Sequence, residues 1–299
     1  QIKITVRDGK IETVKESVSN SISIRLWVDG RFGSHSSNDL REDRFRSFVS
    51  EAVALTRALE PDPHRRITPP ELFEGRYEGD LGMEDPAISA LTRAQRIALC
   101  MEQNSAMQGN AKLISATSES SDSSAQSAMA SSNGFQGAQA TTSLWIGSEA
   151  TLQGEGDKKP EAWMWGGARH RGGVPSPTEV ASIVMERALA RLGSRKGPTR
   201  KGLMILDPSL GASLVSRLIR PAYGQALSQG RSFWKGMEGK QSVSAKLSLV
   251  DDPLMYGGLA SRLYDGDGIS ARKMQVIEEG ILRNSYIDCY YGSKLGTDP

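Results

Sequence analysis

Apolar and polar residues alternate from the start of the chain. "QIKITVRDGKIETV" alternates on both sides of Asp8-Gly9. "SISIRLWVDGRFGSHSS" repeats the pattern, with Ile22, Ile24, Leu26 and Val28 on one face and Asp29-Gly30 at the turn. Period-two runs around Asp-Gly predict hairpins, and together these two predict an antiparallel meander. The period then changes to that of a helix in "NDLREDRFRSFVSEAVALTRALEP". Phe45, Phe48, Val49, Ala52, Val53 and Leu59 form its apolar stripe, Asn38 or Asp39 supplies the cap, and Pro61 and Pro63 end it. Pro61–Pro86 reads as a long surface connection. "SALTRAQRIALCMEQNSAMQ" reads as a second helix, capped by Ser89.

The Ser- and Ala-rich run that follows can be read as a flexible linker. Strands are preferred, because "TSLWIGSEATL" still alternates and Phe135, Leu144, Trp145 and Ile146 anchor the segment. Strands of such small residues suit a sheet with another surface laid close on it. Ser176–Gly193 is the clearest helix, with Ser176 as N-cap, Pro177 in its first turn, Glu179 completing a capping box and Gly193 as the stop. Farther on, Leu203–Leu206 reads as a strand and Gly211–Leu227 as an apolar helix after Asp207-Pro208. Ser242–Val250 reads as a strand with Val243, Ala245, Leu247 and Leu249 on one face, and two strands flank Glu279-Gly280. The pattern gives an α+β protein of mixed and antiparallel sheets with flanking helices. Three units are drawn: 1–112 (N-terminal α+β), 113–175 (Ser/Gly-rich strands) and 176–299 (C-terminal).

Composition narrows the function classes. The 299 residues, 38% of them hydrophobic, are enough for a packed core, and a formal charge of +2 gives no global reason to expect nucleic acid or membrane binding. The basic run Arg195, Lys196, Arg200 and Lys201 reads as a solvated helix end, without the interleaved aromatics of a nucleic-acid surface. No apolar run approaches the ~20 residues that span a bilayer. The chain opens without Met and without a leader pattern, so an N-terminal truncation is expected. Cys100 and Cys289 read as free thiols of a reducing, cytoplasmic compartment.

Candidate chemistry is sparse. His35, His64 and His170 are isolated, with no two within a helical turn, so a zinc site made by this chain alone is not expected. Asp265 and Asp267 in "YDGDG" resemble part of a calcium loop but lack its closing Glu, and read better as a glycine turn in which both aspartates bond backbone N–H groups and Gly266 and Gly268 take positive φ. Ser232 has no histidine near it in sequence, and Asp251-Asp252 reads as a strand end.

The tail "DDPLMYGGLASRLYDGDGISARKMQVIEEGILRNSYIDCYYGSKLG" is more specific. It resembles the TldD/PmbA family, also called modulators of DNA gyrase, through a pattern G-x-x-S…D-x-E-G…I-x-x-G-x-L…Y-x-x-x-x-x-G. Here that pattern reads Gly258, Ser261, Asp265, Asp267, Gly268, Ile277, Gly280, Leu282, Tyr290 and Gly296, with Asp267 in place of the family's Glu. "VRDGKIETVKES…SISIRLWVDGRFGSHSSNDL" and "SSNGFQGAQATTSLWIGSEA" resemble the family's first and second domains.

The resemblance implies a multi-domain architecture and a PmbA-like (TldE-like) branch. The other branch carries H-E-x-x-x-H on the helix after Asp207-Pro208; here its degenerate zinc-motif positions are Ser216, Arg217 and Pro221. No catalytic or metal-ligating residue is therefore expected, and no cofactor; zinc belongs to a TldD-like partner. The implied role is a non-catalytic subunit of a cytoplasmic peptidase complex acting on unfolded, extended peptides. Gly257, Gly258, Ser261, Asp265, Asp267 and Gly268 are candidates for a peptide groove, and Leu214, Val215, Leu218 and Ile219 for the helix face that keeps the fold. Partners implied are a TldD-like subunit or a second copy. Alternatives are an independent peptidase with an unrecognised site, or a non-enzymatic binding protein. Family members continue past "GSKLG", so an incomplete C-terminal domain is expected.

Overall fold

Two short hairpins open the structure, a computed structural model that describes residues 1–299. They are β1 (Ile2–Arg7) with β2 (Lys10–Glu16), and β3 (Ile22–Val28) with β4 (Arg31–Ser37). Then come α1 (Glu42–Arg57), the short α2 (Pro86–Ser89), α3 (Arg93–Ala106), the long strands β5 (Leu113–Ala130) and β6 (Gln136–Leu152), β7 (Glu161–Ala168) and α4 (Pro177–Ala190). The last third holds α5 (Gly211–Ile219), α6 (Gly224–Ser228), β8 (Leu249–Asp251), β9 (Met274–Glu278), β10 (Ile281–Leu282) and α7 (Cys289–Leu295). The protein is α+β, with antiparallel sheets and flanking helices.

The hairpins do not form one meander. β1 pairs with β5, giving a five-stranded sheet of order β2-β1-β5-β6-β7, while β3 and β4 stay a separate pair. A division between 112 and 113 therefore separates strands that share hydrogen bonds. The burial of Ile4 and Val6 explains this: both are fully buried against Cys100 of α3, so the first hairpin completes the layer under α3. α1 covers only the β3–β4 pair, and so its stripe is thinly buried. Ala52 and Thr56 are buried, whereas Phe45, Phe48, Val49 and Val53 are half-covered and Leu59 is exposed. Asp39 does not cap α1; it binds Arg41, whose guanidinium holds the Asp39 carboxyl down at about 2.

The Ser-rich strands are regular and long. Their buried side is small and polar because α3 lies close on it. Ser118 bonds Ser148 at 3.0 Å, Ser148 bonds Gln103 at 3.1 Å, and Ser120 donates to the Arg96 carbonyl. Arg96 donates twice to the Asp122 carboxylate, at 2.6 and 2.8 Å, and both side chains are buried. Farther along the same face Ile146, Ala150 and Leu152 pack on Val180, Ala181, Val184 and Ala188 of α4. Thr92, not Ser89, caps α3, in a reciprocal box with Gln95. Ser176 accepts from the Glu179 N–H as the α4 cap, without the reciprocal bond from the glutamate.

Past Asp122, β5 and β6 continue as a two-stranded ribbon whose tip carries Asn133 and Phe135. The Pro61–Pro86 connection crosses this tip. Asn133 donates to the Thr68 carbonyl, and Phe73 meets Phe135 edge-on at 5.0 Å.

The C-terminal region departs most from the pattern. Leu203–Leu206 forms no strand and pairs with no sheet; Leu203 and Ile205 are 93% and 87% exposed. Pro221 breaks the long apolar helix into α5, a 3₁₀ turn and α6. Only Leu249–Asp251 of the next predicted strand pairs, with β9. The Glu279-Gly280 hairpin is present, but Cys289–Leu295 is helical, capped by Asp288. Ala222, Trp234, Val276, Ile277 and Leu282 form the local core, and the Trp234 indole donates to the Leu218 carbonyl at 2.7 Å. No helix is long and apolar enough to cross a membrane.

Candidate functional site

α5 borders an open cleft of about 1350 Å³. Val215, Ser216, Ile219 and Arg220 face it from α5 and the following turn; Tyr223 and Arg231 extend that wall. Asp251, Arg262, Asp265, Met274, Tyr286 and the terminal residue Pro299 also line it. A second hollow, of about 600 Å³, adjoins it and is lined by Ser213, Ser216, Arg217 and Pro221. Pro221 places the floor: it stops α5, and the chain then bonds Gly224 N–H to the Tyr286 carbonyl, bringing Tyr223 and Tyr286 into a stack at 5.0 Å. Burial, with Asp251 nearby, pushes the Tyr286 hydroxyl up to about 12.

The charged side chains lining the cleft differ in how they are engaged. Asp265 accepts the Asp267 and Ile269 N–H groups at 2.8 and 3.0 Å, and burial pushes its carboxyl above the ordinary value. Asp288 caps α7. Asp251 sits 3.6 Å from Arg262. Arg262 is the one guanidinium lining this cleft that reaches a carboxylate; Arg220 and Arg231 pair with none.

Ser216, Arg217 and Pro221, the expected counterparts of the zinc motif, line the second hollow, and Ser216 lines the cleft as well. Their chemistry does not suit a zinc ion. A neutral hydroxyl is a weak ligand, proline has no donor, and Arg217 beside Arg220 makes the local field repulsive to a cation. No group of three or more His, Cys, Asp or Glu side chains is close enough anywhere to share a metal. The histidines are engaged separately: His35, a β4 residue and not a loop residue, with Thr56 at 2.9 Å; His64 with Ser293 at 3.1 Å; His170 with the Gly82 carbonyl at 2.7 Å.

Of the six groove candidates, Asp265 alone lines this cleft. Gly257, Gly258 and Ser261 build a turn in which Ser261 donates to the Met255 carbonyl and Gly257 donates to the Leu81 carbonyl. Asp267 ion-pairs with Arg25 of β3 at 2.6 Å instead of bonding a neighbouring N–H, and its carbonyl accepts from Thr68. Gly268 has φ +85° and lies under Phe135, where a Cβ would come within 3.0 Å of the ring; Gly266 does not take positive φ. Tyr264 packs edge-on against Phe135 at 4.9 Å and over Gly137. The D-x-D-G turn is therefore a joint that ties the β3–β4 hairpin, the 61–86 connection and the ribbon tip to the C-terminal region.

The face expected to keep the fold is divided. Leu218 packs toward Trp234, Val215 and Ile219 line the cleft, and Leu214 is exposed. Sequence reasoning missed Arg231, Arg262, Tyr223 and Tyr286 as site residues. They come from four separate segments, and no spacing joins them.

Family models match in order along the chain: PmbA/TldA metallopeptidase domain 1 over residues 1–56, the central domain over 86–192 and the C-terminal domain over 199–299. Metalloprotease PmbA of Escherichia coli O157:H7 is 25% identical over 296 residues, which cover 99% of this chain and 65% of that protein. The PmbA homolog of Haemophilus influenzae is 23% identical, with the same two coverages. The chain thus spans just under two thirds of the length of these relatives. A solved structure from Bacteroides thetaiotaomicron, described as a candidate modulator of DNA gyrase, superposes with TM-score 0.95 at 26% identity, over 100% of this chain and 68% of that one. TldE from Thermococcus kodakarensis shares the fold, with TM-score 0.78 at 16% identity over 99% of this chain and 66% of that one. With three successive domain models and a full-length superposition, the chain belongs to the PmbA/TldD metallopeptidase family.

Proposed function

We propose that this protein is a non-catalytic, PmbA/TldE-like subunit of a cytoplasmic metallopeptidase complex that takes unfolded peptides. The observation that carries this reading is the wall of the large cleft. Ser216, Arg217 and Pro221, which the resemblance aligns with the zinc motif of the other branch, line hollows beside α5 and the turn after it. The chain keeps the cavity and has exchanged the ligands for a cationic surface. On this account it carries no zinc of its own, pairs with a TldD-like chain holding H-E-x-x-x-H, and contributes part of a chamber around an extended peptide.

The relatives' name, metalloprotease, favours a chain that cleaves by itself; the chemistry of the motif positions argues against it. The test is zinc content and assembly. Elemental analysis of the isolated chain is expected to find no stoichiometric zinc, and native mass spectrometry with a TldD-like chain is expected to find a mixed complex holding it. One tightly held zinc per isolated chain would overturn the reading.

A further inference from the structure

α3 and α4 take one face of the five-stranded sheet. The opposite face leaves Trp145, Trp165 and Trp163 38%, 43% and 56% exposed. Two of these rings lie across the sheet: the Trp165 indole covers Gly147 and the Trp145 indole covers Gly167, each the residue directly opposite on the neighbouring strand. Single aromatics scattered over a surface are ordinary; three on one sheet face mark an interaction surface.

Strand register fixes what surrounds them. One row across the sheet, from β2 to β7, reads Lys10, Arg7, Thr117, Glu149, Trp163. The next reads Thr13, Thr5, Glu119, Gly147, Trp165, and the third Lys15, Lys3, Ser121, Trp145, Gly167. Residues directly opposite one another share a face, so this face is cationic over β1 and β2, and aromatic and acidic over β6 and β7. Lys3 is held by Glu119 at 2.6 Å and Arg7 by Glu12 at 2.8 Å, while Lys10, Lys15, Glu149 and Glu161 ion-pair with nothing. Arg187 and Arg191 of α4 stand at the β7 edge, where they bond the Trp163 and Glu161 carbonyls.

A half-turn about an axis along β5 lays the cationic half of one copy on the aromatic and acidic half of another. Arg7 then meets Glu149, Lys10 meets Trp163, and Lys3 meets Trp145, so each contact joins a cation to a carboxylate or to the face of an indole. On the axis Glu119 meets its own copy, but each is already held by Lys3, and the four charges close on one another. Sheets pack face to face about 10 Å apart, a spacing that indoles lying across glycines and short Thr and Ser side chains suit. Five strands at ~4.8 Å and the eight residues of β7 at ~3.3 Å give a footprint of roughly 600 Å². That reaches the lower end of the roughly 600–1,000 Å² that each partner brings to a standard interface.

We infer that this face is the interface of a two-fold dimer of the chain, sheet against sheet, with the tryptophans of one copy under the basic strands of the other. The inference stands apart from the subunit reading, which zinc content judges separately.

The experiment measures self-association of the 299-residue chain. Sedimentation equilibrium is expected to find a dimer in the micromolar range, with tryptophan emission shifting to the blue as it forms. Glu149→Arg and Arg7→Glu should each weaken dimerisation by about tenfold, because each sets like charges against one another twice across the axis. Mixed together, the two variants should pair at about the wild-type affinity, since both contacts in the mixed dimer again join opposite charges. Trp163→Ser should weaken dimerisation by about thirtyfold while the diluted monomer keeps its melting temperature. A monomer at these concentrations, a dimer untouched by Trp163→Ser, or single variants that do not recover on mixing overturns the interface. A chain that stays monomeric until a TldD-like chain is added, with the emission shift appearing only then, gives the face to that chain and overturns the second copy.

Discussion

Removing the Phe135 ring tests the joint that holds the C-terminal region to the rest. Phe135 is 2% exposed and is held edge-on between Phe73 at 5.0 Å and Tyr264 at 4.9 Å, with Gly268 pressed on its face and Arg76 5.5 Å from its centroid. Truncating a buried phenylalanine to alanine costs about 3–5 kcal/mol, because the neighbours relax only partly into the cavity. The two edge-on pairs place Phe135→Ala toward the middle of that range. The loss should be local, since the ring touches the 61–86 connection and the Asp265–Ser270 turn but not the α3–α4 layer. Hydrogen exchange read by mass spectrometry checks this. Exchange protection in Pro69–Phe73, the ribbon tip and Asp265–Ser270 should fall together by about two to three orders of magnitude, at ~1.4 kcal/mol per tenfold. Protection in α3 and α4 should hold. A cost below about 1 kcal/mol, or an even loss across the whole chain, would refute the joint.

Three further outcomes follow from particular contacts. Arg96→Met should cost about 3–5 kcal/mol in urea unfolding by leaving Asp122 charged and buried, and adding Asp122→Leu should recover most of it; a single variant near wild type would show that the pair is not desolvated. Burial raises the Asp265 carboxyl, so its contribution to stability is fully present below the ordinary aspartate value and is lost as pH climbs through the raised one. Asp265→Asn, which keeps an oxygen acceptor for the two N–H groups, should flatten that part of the stability–pH curve, and an unchanged slope would contradict the burial. Burial pushes Cys100 and Cys289 up to about 11, so at pH 8 both should react with a thiol reagent far more slowly than free cysteine and at the full rate in denaturant; fast labelling of native Cys289 would contradict its packing beside Thr68.

Much of the fold could be read locally, where a strand or helix is decided by its own residues. Asp-Gly turns set the hairpins, and Ser176 with Pro177 started α4. The small side chains of β5 signalled a close neighbour, and α3 is that neighbour. What local pattern could not supply was pairing. Leu203–Leu206 is apolar enough for a strand but pairs with nothing, and Ile4 and Val6 gave no sign that their partner would be β5, more than a hundred residues on. Helix ends moved where two residues competed for a cap: Thr92 prevailed over Ser89 because Gln95 returns its bond. At the site, Ser216, Arg217 and Pro221 could be singled out because they lie within six residues of one another in sequence. The role of Asp267 was not, because its partner Arg25 lies at the other end of the chain.

The central claim is that catalysis requires a second chain. Its most direct test is digestion of an unfolded, casein-like peptide by three samples: this chain alone, a TldD-like chain bearing H-E-x-x-x-H alone, and the two mixed. Turnover is expected in the mixture, abolished by a zinc chelator, and absent from this chain alone at any concentration. Sustained, chelator-sensitive cleavage by this chain alone, persisting after repurification, would contradict the account.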